Sequence, residues 1–129
     1  MSKAEDLMIG DWLFYKGPFN AFPFKVKQIT KKKVGYHAEP NESRIYYVRL
    51  CECYPIPLTP KILEKNGFTY FTGLWYFQTE ERMPIQICFK DNDTILMSIN
   101  CNPVFINLKY VHQLQHALRL YGIKKDIQL

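Results

Sequence analysis

A chain of 129 residues, 22% charged and 47% AVILMFWYC, is long enough for one domain or a tightly packed pair of small subdomains and too apolar for intrinsic disorder. Six glycines and eight prolines exclude collagen-like and low-complexity chains, and no apolar run approaches the roughly 18–20 residues that span a bilayer. The formal charge of +5 speaks to solubility and to attraction for polyanions, not to fold.

The opening Met1-Ser2-Lys3-Ala4-Glu5-Asp6 is polar and has neither the basic segment nor the apolar core of a secretory signal, so a soluble, cytoplasmic protein is expected. Gly10-Asp11 marks a turn into an aromatic strand, Trp12 to Tyr15. After a Gly17-Pro18 break, Phe22, Phe24 and Val26 share one strand face and Lys25 and Lys27 the other. Ile29 falls on the lysine face, which predicts a bulge or the strand's end. Lys31, Lys32 and Lys33 read as a hairpin tip, followed by Val34, Tyr36 and Ala38 on a return strand. Asn41-Glu42-Ser43 is a further turn, and residues 44–50 are dense in β-formers. Short strands at roughly ten-residue spacing predict an SH3-like small β-barrel over residues 1–57.

Pro55-Ile56-Pro57 ends that run, and a short helix over about residues 60–66 follows. Thr59 caps it, Pro60 fits its first position, and Leu58 with Leu63 forms a hydrophobic staple. Gly67 and Phe68 supply a Schellman stop. Strands are then expected at 68–71 and 74–79 around a Thr72-Gly73 turn. Ile85, Ile87 and Phe89 alternate, Asp91-Asn92-Asp93 turns the chain, and Ile95, Met97 and Ile99 alternate again. Asn100 to Pro103 makes another turn before Val104-Phe105-Ile106. Val111, Leu114, Leu118 and Tyr121 recur at helical spacing up to Gly122, leaving His112, Gln113, Gln115, His116 and Arg119 mostly outside the apolar stripe. The fold class is α+β: an N-terminal SH3-like small β-barrel (1–57), then a short helix, an antiparallel meander and a C-terminal amphipathic helix (58–129). Each half is near the lower size limit for independent folding, so the two are expected to pack as one unit.

Chemistry-bearing residues are sparse. Between Asp11 and Glu39 there is no acid and there are six lysines, Lys16, Lys25, Lys27, Lys31, Lys32 and Lys33. With Lys25 and Lys27 pointing outward and the other three at the tip, five charges would share one sheet edge, beside which Tyr36 or Tyr47 would stack on unpaired bases. Lysines there also keep a sheet edge soluble without any ligand. Trp75 and Phe77, on one side of an aromatic strand, are the candidates for a protein-binding face. Cys51 and Cys53 would share one strand face, and Cys88 and Cys101 sit singly among apolar residues as small hydrophobes; reduced thiols are expected. His112 and His116 have metal-ligand spacing, with His37 the one remaining histidine, but the intervening Gln-Leu-Gln lacks the glutamate of a metalloprotease helix. None of Ser2, Ser43 and Ser98 has an activating context, and Glu80-Glu81 and Asp91/Asp93 read as solvated turn acids. No cofactor, metal or catalytic constellation is expected.

The segments Tyr54-Pro-Ile-Pro-Leu-Thr-Pro-Lys-Ile-Leu-Glu-Lys-Asn-Gly-Phe68 and Lys109-Tyr-Val-His-Gln-Leu-Gln-His116 resemble a family of small uncharacterised proteins of Bacteroidetes genomes and their prophage-like elements. The resemblance implies a bacterial cytoplasmic setting and carries no activity, cofactor or site residue. The expected function is a noncatalytic protein-binding or accessory module. The alternative is a nucleic-acid-binding β-domain that uses Lys25, Lys27, Lys31, Lys32, Lys33 and Tyr36.

Overall fold

The computed structural model describes residues 6–39, 41–90, 94–105 and 107–129; the Asp91-Asn92-Asp93 turn, Ile106 and residues 1–5 of the opening segment lie outside them. The chain divides into two compact units, Met1–Ile56 and Pro57–Leu129. It is α+β, with antiparallel sheets and two α-helices among the described residues.

The first unit contains β1 (Trp12–Lys16), β2 (Ala21–Lys25), β3 (Gln28–Ile29), β4 (Lys33–Tyr36), β5 (Tyr46–Arg49), a 3-10 turn (Leu50–Glu52) and β6 (Cys53–Pro55). They form two three-stranded sheets, β2-β1-β6 and β3-β4-β5, and among the described residues no ladder joins these into a closed ring. The chain passes from one sheet to the other between Lys25 and Gln28. Val26 N–H still donates to Asp11 O (2.9 Å), whereas Lys27 N–H donates to Gly35 O (2.8 Å) in the other sheet. That crossing is the physical origin of the slip at Ile29: Val26 and Ile29 both face the core, three residues apart, because the strand bends between them.

The core of this unit is Leu7, Leu13, Phe24, Val26, Val34, Leu50 and Cys53, with Tyr15, Phe22, Ile29, Tyr36 and Val48 packed around it. The Gly10-Asp11 turn is fixed from both sides. Gly10, at φ 92°, donates its N–H to Val26 O (2.7 Å), and the buried Asp11 carboxylate accepts Met8 N–H (2.8 Å). Pro23 and Pro55 stand on the outer strands of the first sheet, where a missing N–H discourages further pairing.

The second unit begins with α1 (Pro60–Lys65). The Thr59 hydroxyl accepts Ile62 N–H (3.3 Å), Gly67 takes φ 85°, and Phe68 N–H returns to Leu63 O (3.0 Å). Leu58, Leu63 and Phe68 are all buried, as a staple and a Schellman contact require. A five-stranded meander follows, β7 (Thr69–Phe71), β8 (Leu74–Gln78), β9 (Pro84–Phe89), β10 (Ile95–Ile99) and β11 (Asn102–Phe105), in the order β11-β10-β9-β8-β7. Thr72 and Gly73, at φ 47° and 86°, make the tight turn between β7 and β8. Ile85, Ile87, Ile95, Met97 and Ile99 are buried at every second position, as sheet alternation dictates.

Helix α2 (Val111–Leu120) starts where the Gln113 side chain accepts N–H from Lys109 (2.8 Å) and Tyr110 (3.0 Å), and stops at Gly122, φ 71°, with Ile123 N–H on Leu118 O (2.8 Å). One expectation fails here. His112 and Gln115 are buried together with Val111, Leu114, Ala117 and Leu118, so the covered surface extends well past the apolar stripe. Hydrophobic spacing marks the centre of a buried face, not its width; two polar residues beside the stripe are enclosed with it.

A nonlocal clamp closes the unit. Buried Asn66, the C-cap of α1, donates from Nδ2 to Ile62 O and Gln128 O (2.7 Å each), and its Oδ1 accepts Gln128 N–H (2.7 Å). Lys65 Nζ also reaches Leu129 O, and Ile127 is buried beside this anchor. Asn66→Ala should cost about 2–3 kcal/mol, since three interactions go and buried backbone groups lose their partner. Hydrogen exchange should show the Gln128 amide deprotected in the variant, with the α2 amides affected least.

Candidate functional site

The first unit carries a row of rings along one end of its core. Tyr15 on β1 stands opposite Phe22 on β2, and Tyr36 on β4 opposite Tyr46 on β5. Centroids are 5.2 Å apart for Tyr15–Phe22, 5.4 Å for Phe22–Tyr36 and 5.8 Å for Tyr36–Tyr46, with buried Phe24 beneath, 5.2 Å from Tyr36. Strand alternation explains the row: Leu13 and Tyr15, Phe24 and Phe22, Val34 and Tyr36 are pairs two residues apart, each with one member in the core and one at its rim. Gly17 lets the Tyr15 phenol fold back over the β1–β2 turn, because the hydroxyl occupies the place a Cβ would take.

The four outer rings are half-buried, and the hydroxyls of the three tyrosines among them differ in use. Tyr46 donates to Glu42 Oε1 (2.9 Å) and lies under the Arg44 guanidinium, 5.0 Å from the ring centroid. Among the described residues the Tyr15 and Tyr36 hydroxyls have no hydrogen-bond partner in the chain. Burial, followed by the neighbouring Tyr46 and Tyr15 phenols, holds the Tyr36 phenol above its ordinary value, so it is a protonated donor at neutral pH. The arrangement offers half-buried ring surface, successive rings tilted 34–49° to one another, with O–H donors along it.

The lysines are placed differently from the sequence expectation. Lys25 belongs to the β2-β1-β6 sheet, its Nζ 5.3 Å from the Trp12 ring centroid, and Lys27 is exposed at the crossing. Lys31, Lys32 and Lys33 are exposed at the β3–β4 turn, which Thr30 closes by accepting Lys33 N–H on Oγ1 (3.0 Å). The five charges therefore do not share one edge; the sheet crossing divides them. Nor does Tyr36 stand beside them, since it points to the core side of β4 with Val34. Tyr47 is on the same side as Lys33.

Trp75 and Phe77 are half-buried and engaged within the second unit. Trp75 packs on Tyr70 (5.3 Å), and Phe77 packs on Phe68 (5.2 Å) and carries Lys125 Nζ 4.0 Å from its centroid. Tyr76 is the exposed ring of that strand, its hydroxyl donating to Gln78 Oε1 (2.8 Å). A depression of about 430 Å³ lies around Gln115, Arg119, Ile123, Lys124, Lys125 and Asp126.

His112 and His116 are 5.4 Å apart edge to face, His112 stacks on Tyr110, and His37 Nδ1 is engaged with Arg44 O at 2.9 Å. Among the described residues no three His, Cys, Asp or Glu side chains cluster as ligands. Two cysteine expectations are corrected. Cys51 lies in the 3-10 turn and is exposed while Cys53 opens β6 and is buried, so they do not share a strand face; Cys101 is exposed at the β10–β11 turn, at φ 65°.

No helix among the described residues is long and apolar enough to cross a membrane. No protein-family model, curated protein sequence or solved structure matches the chain.

From the sequence alone Tyr36 is placed with the lysines and not grouped with Tyr15, Phe22 and Tyr46, because that grouping depends on which strands stand side by side. The signal was there: Tyr, not Phe, stands at positions 15, 36 and 46, which places a polar end wherever the ring goes.

The thiols give a direct check on burial. Burial above all, then Cys51 and Glu52, pushes the Cys53 thiol from 9.0 up to about 12. A thiol reagent at neutral pH should modify Cys51 and Cys101 quickly and Cys53 only on unfolding. The folded thiol keeps its proton to about 12 and the unfolded one loses it near 9, so this share of stability is intact below pH 9 and vanishes toward pH 12. Urea titrations across that window should show a shallower pH slope for Cys53→Ala than for the parent.

Proposed function

We propose that the protein is a noncatalytic binding module whose N-terminal unit takes an extended, proline-containing segment of a protein partner across Tyr15, Phe22, Tyr36 and Tyr46. The observation that carries this reading is the pair of phenol hydroxyls, on Tyr15 and Tyr36, that the described part of the chain does not use. A polyproline II segment has no internal hydrogen bonds, so it presents its carbonyls as acceptors and loses little entropy on docking. Half-buried rings supply apolar contact to the proline rings, and the phenols donate to the carbonyls between them. Arg44, at the Tyr46 end, favours an acidic residue at that end of the segment.

The same unit is read as an SH3-like small barrel. Three features support this: the strand that bends from β2 into β3, the 3-10 turn that precedes β6, and the return of β6 to β1. A cytoplasmic setting accords with four free thiols, and the bacterial, prophage-like setting rests on the two sequence segments described above.

The test is a titration of the full chain with proline-rich peptides, followed by amide shifts, against a peptide of equal charge with alanine in place of proline. Residues of the ring row should shift with the proline-rich peptides alone. Tyr36→Phe should weaken binding about 3- to 10-fold, the worth of one hydrogen bond, while Trp75→Ala leaves it unchanged. Equal binding of both peptides, or affinity indifferent to Tyr36→Phe, sinks the proposal.

A further inference from the structure

The opposite side of the β3-β4-β5 sheet combines an exposed ring with exposed cations. From this juxtaposition we propose that it binds single-stranded nucleic acid, with Tyr47 as the stacking platform and Lys31, Lys32, Lys33 and Arg49 contacting the phosphates. This surface is independent of the ring row, so either proposal can fail alone.

The first observation is the ring. Tyr47 is 49% exposed, and its hydroxyl donates to Gln28 Oε1 (2.7 Å), which fixes its direction across the sheet. Gln28, Gly35 and Tyr47 are cross-strand neighbours in one row. A Cβ on Gly35 would stand 3.2 Å from Tyr47 Cε1 and 2.7 Å from Ile45 Cγ2, so the missing side chain lets the phenol lie down across β4. A ring held down in this way has one face on the protein and the other open to a base.

The second observation is charge. Lys33 and Arg49 stand directly opposite each other, two residues along from Gly35 and Tyr47 on the same side of the sheet. Like charges in that position destabilise a sheet; among the described residues Arg49 has a counter-charge, Glu52 Oε1 at 2.5 Å from Nε, and none is seen for Lys33. Lys31 and Lys32 extend the cation row into the turn, whose conformation is held by Thr30 and by Leu50 N–H on Lys32 O (2.8 Å). Two residues of strand span about 6.5–7 Å, so these cations lie within side-chain reach of the phosphates flanking a base on Tyr47. The surface has a ring but no helix to enter a groove, which selects unpaired strands over duplex.

Full-length protein would be titrated by fluorescence anisotropy with a labelled 12-nucleotide oligothymidylate, its duplex with oligoadenylate, and polyglutamate as competitor. The single strand should bind in preference to the duplex, and polyglutamate should compete poorly at equal charge concentration. Tyr47→Ala should weaken single-strand binding roughly 5- to 100-fold, with Tyr47→Phe within about threefold of the parent. Lys33→Gln should lower the salt slope by about one unit without changing base preference. All three variants change exposed side chains, and circular dichroism checks that they stay folded. The proposal is overturned by equal affinity for duplex, by efficient polyglutamate competition (an acidic-peptide surface), by an unchanged Tyr47→Ala, or by no binding at low salt.

Discussion

In the first unit the rings of Tyr15, Phe22 and Tyr36 must both seal a core and meet water. Among the described residues seven buried side chains form that core, and these rings pack against it while only partly buried. Aliphatic side chains at the rim would expose apolar surface without any polar end. A phenol resolves the conflict, because its ring packs against Phe24 while its hydroxyl stays at the surface. The same choice leaves O–H donors that the described chain does not use, which is what makes a structural rim into a candidate site.

The bend between Lys25 and Gln28 organises everything else in that unit. It converts one run of alternating residues into strands of two sheets, so side chains that look adjacent in sequence separate in space. Lys25 goes with Trp12 in one sheet, while the turn lysines join Arg49 and Tyr47 in the other. Tyr36 and Tyr47 consequently serve opposite faces of the β3-β4-β5 sheet. The two faces suit different chemistries: one is apolar with neutral donors, the other cationic around a single ring.

What the sequence made legible was local. The Thr59 cap, the Gly67 and Gly122 stops and the Thr72-Gly73 turn are each fixed by residues within a few positions, and they stand where those residues place them. The meander followed from period-two burial at Ile85, Ile87, Ile95, Met97 and Ile99. What stayed hidden depends on distant partners. The Asn66–Gln128 clamp joins residues 62 positions apart, and burial of His112 and Gln115 depends on what encloses α2, not on the helix itself. The grouping of the lysines was hidden for the same reason, since it hinges on which sheet each strand joins. Tyr47 was visible as a residue beside the lysines, but the flatness of its ring depends on Gly35 in the neighbouring strand.

The central claim is that the Tyr15 and Tyr36 hydroxyls serve a partner and not the fold. Equilibrium urea unfolding of the full chain carrying Tyr15→Phe and Tyr36→Phe together tests it most directly. The account predicts a midpoint at or slightly above that of the parent, within about 0.5 kcal/mol, because no intramolecular hydrogen bond is removed. A loss of about 2 kcal/mol or more would mean that both phenols hold the chain together, and the ring row would then be structure alone.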